Sequence, residues 1–275
     1  MRWLLLCLLL PAALFSEPLR VMSFNVRFPS KDDGPNLWET RRGMFIESIR
    51  QLDPDLLGTQ ELFHLQGQYI VQQLPAYRWF GLSRRGNQTD EHMGVFYKPS
   101  RLKLLKSGDF WLSETPAVPG SSSWDMSLPR MVTWGLFEIQ STRRRFYLYN
   151  THFPHRPQDD AARTRCASLI AARAAALDPK IPFILTGDFN AAAPSSQAYQ
   201  TLTQAGLTDA YQTATHRFGP EGTFNGFKGI TTGPRIDWIL YRGLRSVLQY
   251  QTNTINSQGR YPSDHFPVFA VIDVP

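Results

Sequence analysis

Six short polar motifs punctuate this chain: Ser23-Phe24-Asn25, Thr59-Gln60-Glu61, Asn150-Thr151-His152, Gly187-Asp188-Phe189-Asn190, Arg235-Ile236-Asp237 and Ser263-Asp264-His265. Each carries a group able to ligate a cation, move a proton or grip a phosphate, and most adjoin an apolar run that reads as a strand. One such tripeptide means little, because Asp and Asn in turns often bond their own backbone. Six in series over nearly the whole chain imply a shared site for metal-assisted attack of water on a phosphoester.

Glu61 stands just past an apolar strand with Gln60 beside it. A lone carboxylate among waters suits Mg²⁺, which keeps much of its hydration shell; a solvated acid at a strand end is the alternative. In Gly187-Asp188-Phe189-Asn190 the strand alternation turns Phe189 inward and sets Asp188 and Asn190 toward one space. Asp188 there could take a proton from water, with the Asn190 amide holding that water or a phosphate oxygen. Asp264 and His265 are adjacent, so their side chains diverge toward different partners. His265 could bond a phosphate oxygen while a carboxylate on its other nitrogen fixes its tautomer. Asp237 is the natural supplier, unless it is a buried acid paired with Arg235. His152, followed by His155 and Arg156, ends another strand and suits a phosphate. A zinc reading of His152 and His155 lacks the Cys pair or His-Glu helix motif it would need. No Gly-x-Ser-x-Gly elbow, Walker loop or dinucleotide fingerprint occurs.

The elements needed to position these groups are legible in outline. Of 275 residues, 42% are hydrophobic and 19% charged, so a sizeable core is available and a disordered chain is excluded. Strands are expected at 19–24, 56–59, 94–97, 131–139, 146–149, 181–186, 236–241 and 268–274, and helices at 38–52, 159–177 and 195–205. The Pro- and Ser-rich stretch 111–130 reads as a long surface loop. Alternating short strands and helices suit an α/β layered sandwich. With 29 Lys and Arg against 23 Asp and Glu, the formal charge is +6, which favours acidic partners such as phosphate esters or nucleic acid.

The N-terminus reads differently. Arg2, the apolar run Leu4 to Leu10 and the closing Pro11 to Ser16 have signal-peptide anatomy, with an uncleaved anchor as the alternative. Residues 1–16 are therefore expected to be a signal and 17–275 one domain, secreted or periplasmic. The mature chain would keep Cys166 alone, and so no internal disulfide.

The motif series resembles that of the endonuclease/exonuclease/phosphatase superfamily over about residues 19–275. The resemblance implies a four-layer α/β/β/α sandwich, two packed mixed sheets flanked by helices, and a Mg²⁺-dependent phosphodiester or phosphoester hydrolase, with Mn²⁺ a possible substitute. It implies Glu61 as the main metal ligand with Asp264 at or near the ion. Asp188 would orient and deprotonate water, Asn190 and His152 would contact the phosphate, and Asn25 would fix the catalytic Asp. Asp237 would pair with His265, which would bond a transition-state oxygen. Trp111 to Pro116, Ser123-Trp124-Asp125, Pro129-Arg130 and Gly222 to Phe227 are similar to a bacterial group of metal-dependent hydrolases. That group more often has His where Asn225 stands and Tyr where Trp238 stands. Arg130 and Asn225 are expected among the substrate contacts.

Within that reading a nuclease comes first, with Arg84-Arg85, Arg143-Arg144-Arg145 and Phe224 to Phe227 as candidate contacts. A sphingomyelinase-like or small-molecule phosphoesterase is the alternative. The rival from another class is an inactive binding protein on the same fold. The mature protein is expected to be a monomer without stable membrane insertion.

Overall fold

The computed structural model describes residues 18–275; the expected signal segment 1–16 lies outside the described residues. Among the described residues the strands are β1 Leu19–Asn25, β2 Leu56–Gln60, β3 Arg78–Phe80, β4 Val95–Tyr97, β5 Leu102–Trp111, β6 Met131–Ile139, β7 Arg145–His152, β8 Phe183–Ala193, β9 Thr208–Asp209, β10 His216–Phe218, β11 Arg235–Arg242, β12 Ser246–Thr252 and β13 Val268–Asp273. The helices are α1 Trp38–Leu52, α2 His64–Gln73, α3 Asp160–Ala175, α4 Gln197–Gln204 and the single turn α5 Ala210–Thr213.

The strands form two mixed sheets, ordered β10-β12-β13-β1-β2-β4-β3 and β5-β6-β7-β8-β11-β9. Their inner faces meet over Val21, Leu56, Phe137, Leu148, Ile184, Ile239 and Ala270. The outer face of the first sheet is covered by α1 and α2 through Trp38, Phe45, Ile49 and Ile70. That of the second is covered by α3 and α4 through Ala162, Cys166, Ile170 and Leu202. This is the expected α/β/β/α sandwich. Strands β1, β2, β6 and β8 are buried along nearly their whole length, which is why they read as continuous apolar runs rather than alternating ones.

Two local features bring the sheets together near one rim. Gly58 on β2 has no room for a side chain: a Cβ there would lie 2.4 Å from Thr186 Oγ1 and 2.5 Å from Asn150 Oδ1. Beside it, Gln60 Nε2 donates to Asn150 Oδ1 at 2.8 Å, and Asn150 Nδ2 donates to the Thr59 carbonyl at 2.8 Å. Gln60 and Asn150, both from the motif series, thus join the sheets. Helix α1 ends, as expected, at Leu52, where Asp53 enters the left-handed region (φ 45°) and donates its N–H to Ile49 O. The stretch after β5 has no regular structure but is no mere surface loop: Leu112, Ser113 and Met126 are buried, and Leu112 N–H donates to Arg130 O at 2.7 Å. No described helix is long and apolar enough to cross a membrane.

Candidate active site

Strand register assembles the site. In the first sheet, β1 and β2 run parallel with Asn25 opposite Gln60, so Asn25 and Glu61 emerge at neighbouring tips. In the second, β7 and β8 are parallel with His152 opposite Asp188, and antiparallel β11 places Asp237 on the other side of Asp188. The ladder is interrupted just before Asp237, the partner moving from Ala193 opposite Arg235 to Asp188 opposite Asp237. Asp264 and His265 lie on the turn before β13, which Ser263 ties to the same rim through Oγ–H donated to Asn25 O at 2.6 Å. Gly187 lets β7 and β8 close up, since a Cβ there would meet Thr151 O at 2.6 Å.

Asp188 is the hub. Its Oδ1 accepts the Asn190 backbone N–H at 3.0 Å and its Oδ2 accepts Asn25 Nδ2 at 3.0 Å. The same Oδ2 lies 3.5 Å from His152 Nε2 and 3.6 Å from His265 Nε2. Asn25 Nδ2 also donates to Glu61 Oε1 at 2.9 Å, so one amide spans both carboxylates. Glu61 Oε2 accepts the Phe28 N–H at 3.1 Å. Glu61 and Asn190 hold left-handed backbone (φ 58° and 47°), a conformation non-glycine residues seldom adopt and one that clusters at functional sites.

His265 Nδ1 donates to Asp237 Oδ2 at 2.9 Å, as the spacing of charges suggested. Arg235 does not take Asp237: it turns to Asp209, at 2.6 Å. Burial works against a charge on His265, but Asp237, Asp188 and Asp264 outweigh it and hold the imidazole well above its ordinary value. His152 goes the other way: burial, with Arg130 adding repulsion, drives it well below. Asn190 Nδ2 donates to both the Phe153 carbonyl (3.1 Å) and His152 Nε2 (3.0 Å), so a neutral His152 carries its proton on Nδ1. Burial raises Asp188 to about 7, with Asp237 adding to the rise against the pull of His265. Burial and then Glu61 raise Asp264.

Glu61, His152, Asp188, Asn190, Asp264 and His265 line a cavity of about 670 Å³ whose further walls include Arg27, Phe28, Phe63, Arg84, Glu91, Arg130 and Phe224. A cleft of about 760 Å³ around Arg20, Asp53, Lys98 and Gln249 carries none of the motif residues. Arg130, 3% exposed, donates to His155 Nδ1 at 3.1 Å and has no ion-pair partner among the described residues.

Two groups offer ligand atoms close enough for a cation: Glu61, His152 and Asp188, and Asp188, Asp237 and His265. The second is already closed by the His265–Asp237 hydrogen bond. Around the first, the carboxylates of Glu61, Asp188, Asp237 and Asp264 crowd together, with Arg27 3.9 Å from Glu61 and from Asp264 and His265 2.9 Å from Asp237. Such a crowd of carboxylate oxygens fits a hard divalent cation that retains water.

Of the expected site residues, Asn25, Glu61, His152, Asp188, Asn190, Asp237, Asp264 and His265 come together, with Arg130 on the wall. Asn225 does not reach the cavity. It is fully buried, its amide donating to Ser263 O at 3.2 Å and its Oδ1 accepting the Phe227 N–H at 2.8 Å; the neighbouring Phe224 faces the opening instead. Arg84 reaches the wall, whereas Arg143 and Arg145 pair with Glu138 and take no part in it. Phe28, Phe63 and Glu91 escaped sequence reasoning, being isolated residues in irregular segments.

The Endonuclease/Exonuclease/phosphatase family model matches residues 22–265. A Bacteroides thetaiotaomicron protein of that family is 34% identical with a TM-score of 0.88, over 94% of this chain and 98% of that one. The mannosyl-6-phosphatase of the same organism is 34% identical with a TM-score of 0.86, over 92% and 99%. Nocturnin from Rattus norvegicus is 24% identical over 280 residues; the match takes in 91% of this chain but only 63% of that protein's length.

Proposed function

The chain belongs to the endonuclease/exonuclease/phosphatase family, and we propose that it is a divalent-metal-dependent hydrolase of phosphoester bonds, acting on a small polar phosphate ester. The observation that carries this reading is the placement of Asp188. One carboxylate is gripped by Asn25 and Asn190, flanked by two histidines of opposite charge preference, and set on the wall of a cavity sized for a small molecule. The likeness to a mannosyl-6-phosphatase over nearly its full length supports a small substrate.

Each residue then has a task. Asp188, fixed at both oxygens, takes the proton of the attacking water. His265, its Nδ1–H given to Asp237, offers Nε2–H to a phosphate oxygen as charge grows there. When the phosphate binds, the Asn190 amide gives up its hydrogen bond to His152 Nε2 and both side chains turn to the anion, while the unpaired charge of Arg130 draws it in. Asn25 keeps Glu61 and Asp188 in register. Glu61 and Asp264 would hold the cation, Mg²⁺ or Mn²⁺ in its place, and when bound it supplies Lewis-acid charge to the scissile group. Residues 1–16 are proposed to export the protein to the periplasm or medium; fractionation and N-terminal sequencing of the full chain check this.

A nuclease is the second reading, favoured by one feature. Phe224 is 45% exposed at the cavity mouth with its ring edge-on to His265, centroids 5.1 Å apart, a platform on which a base could stack. The test is hydrolysis of p-nitrophenyl phosphate, bis-p-nitrophenyl phosphate and a single-stranded oligonucleotide with Mg²⁺, Mn²⁺ or EDTA. Metal-dependent turnover should fall on the order of 10²-fold or more in Asp188→Ala. A near-wild-type rate in that variant sinks the assignment, and preference for the oligonucleotide promotes the second reading.

A further inference from the structure

The cavity wall carries a pair of charges that the hydrolytic machinery leaves unused. Arg84 Nη1 donates to Glu91 Oε2 at 2.8 Å, and both side chains are about nine-tenths buried. Oε1 of Glu91 has no hydrogen-bond partner among the described residues. A carboxylate facing a phosphate pocket is a liability, because it repels the substrate's own charge. It must serve a group that brings hydrogen-bond donors or positive charge.

A second cation is the less favourable occupant. Arg84 already pairs with Asp90 and Glu91, at 3.0 and 2.8 Å, and Arg130 stands on the same wall, so positive charge is at hand without a further ion. Hydroxyl groups fit better, since each donates and accepts, and a guanidinium beside a carboxylate presents both complements. The pair is also fixed in advance. Arg84 N–H donates to Glu91 O at 2.8 Å, His92 N–H to Leu62 O at 2.7 Å, and Trp111 Nε1–H to Arg84 O at 2.6 Å, so the loop between β3 and β4 is pinned on three sides. Phe28, Phe63 and Phe224, also on the wall, offer apolar surface suited to the C–H face of a ring.

We propose that Arg84 and Glu91 form a hydroxyl-recognition subsite that selects phosphate esters of polyhydroxylated alcohols, sugars above all. This rests on the phosphoester-hydrolase reading. Glu91 and Arg84 are specificity residues: they grip the alcohol portion and take no part in the proton transfers at Asp188 and His265.

The experiment compares kcat/KM for a hexose 6-phosphate and for p-nitrophenyl phosphate, with Mg²⁺, in wild type, Glu91→Gln and Glu91→Asp. Wild type should prefer the hexose ester. Glu91→Gln should reduce the ratio of the two kcat/KM values about tenfold or more, mainly through KM for the hexose ester, and Glu91→Asp should recover part of it. Arg84→Lys, which keeps the charge but loses the fork, is a second probe of the ratio if Glu91→Gln folds poorly. A ratio unmoved in folded variants overturns the subsite. So does a wild type that cleaves p-nitrophenyl phosphate without preferring the hexose ester, leaving the hydrolase reading intact. A shift confined to the Mg²⁺ concentration needed for activity overturns it in favour of a second cation site. Turnover of neither ester by wild type removes the hydrolase reading and the subsite together.

Discussion

Replacing Asp237 by Asn tests the assignment of His265 more sharply than replacing the histidine itself. The substitution keeps shape and removes one charge from a buried 2.9 Å contact. Asp237 is the largest of the carboxylate influences that keep His265 protonated; Asp188 and Asp264 remain. A hydrogen bond to a charged group contributes a net 1.5–3 kcal/mol or so. At 1.36 kcal/mol per tenfold in rate, that is a loss of about 10- to 150-fold if the interaction matters fully in the transition state. The pH profile carries the sign. In the native protein the raised value keeps the active, protonated imidazole through neutrality. Without Asp237 the value falls back toward the ordinary histidine range near 6.5, so activity should decline as pH rises through that range. The assay is kcat/KM from about pH 5.5 to about pH 8.5, with imidazole nitrogen NMR to follow protonation directly. A variant that loses activity equally at every pH, or keeps the native alkaline limb, refutes the role given to the imidazolium.

Three further outcomes are expected. Asn25→Ala removes the amide shared by Glu61 and Asp188 and should weaken metal activation on the order of 10- to 100-fold, the usual cost of losing a residue that orients a ligand; an unchanged Mg²⁺ titration would contradict this. Metal binding near pH 7 should release protons, because burial holds Asp188 and Asp264 above their ordinary values and a cation favours their ionised forms; calorimetry in two buffers of different ionisation enthalpy should show the difference, and identical heats would not fit. Gly187→Ala drives a Cβ against the Thr151 carbonyl and should cost roughly 1–3 kcal/mol, a drop in melting temperature of several degrees, with no drop indicating that β7 and β8 can separate cheaply.

The parts of this molecule that were legible in its sequence are those with dense local signals. Helix α1 and strand β6 have the expected bounds because their apolar spacing is continuous and their ends are marked. β8 runs to Ala193, well past the expected Thr186, because the Asp188 motif stays in the ladder instead of leaving it as a turn. β5 and β12 were missed because each carries a bulge that breaks its alternation, between Leu104 and Lys106 and between Val247 and Gln249. Helix α2 was missed because its buried residues are Gln66, Gly67 and Ile70, too few apolar positions to form a stripe. The groups that come together at the candidate site were legible because each sits in a short polar motif beside an apolar run. Glu91 was not: only the fold brings its loop against Arg130 and the cavity. Asn225 shows the opposite failure, a polar residue inside a motif whose amide is spent on its own turn.

The candidate site draws on both sheets of the sandwich. Asn25, Glu61, Asp264 and His265 belong to the rim of the first sheet; His152, Asp188, Asn190 and Asp237 belong to the second. The Asn25–Asp188 and His265–Asp237 contacts both cross between them. Neither half alone holds Asp188 with both of its amide donors, or His265 with its carboxylate. Crowding four carboxylates at this seam disfavours folding unless something fixes the two rims against each other. Gly58 supplies the close approach and the Gln60–Asn150 contact supplies the tie, one residue away from Glu61 and two from His152. The geometry around Asp188 is therefore set by packing between the sheets, and a cavity opened beneath Gln60 or Asn150 should loosen the groups assigned to the reaction without touching any of them.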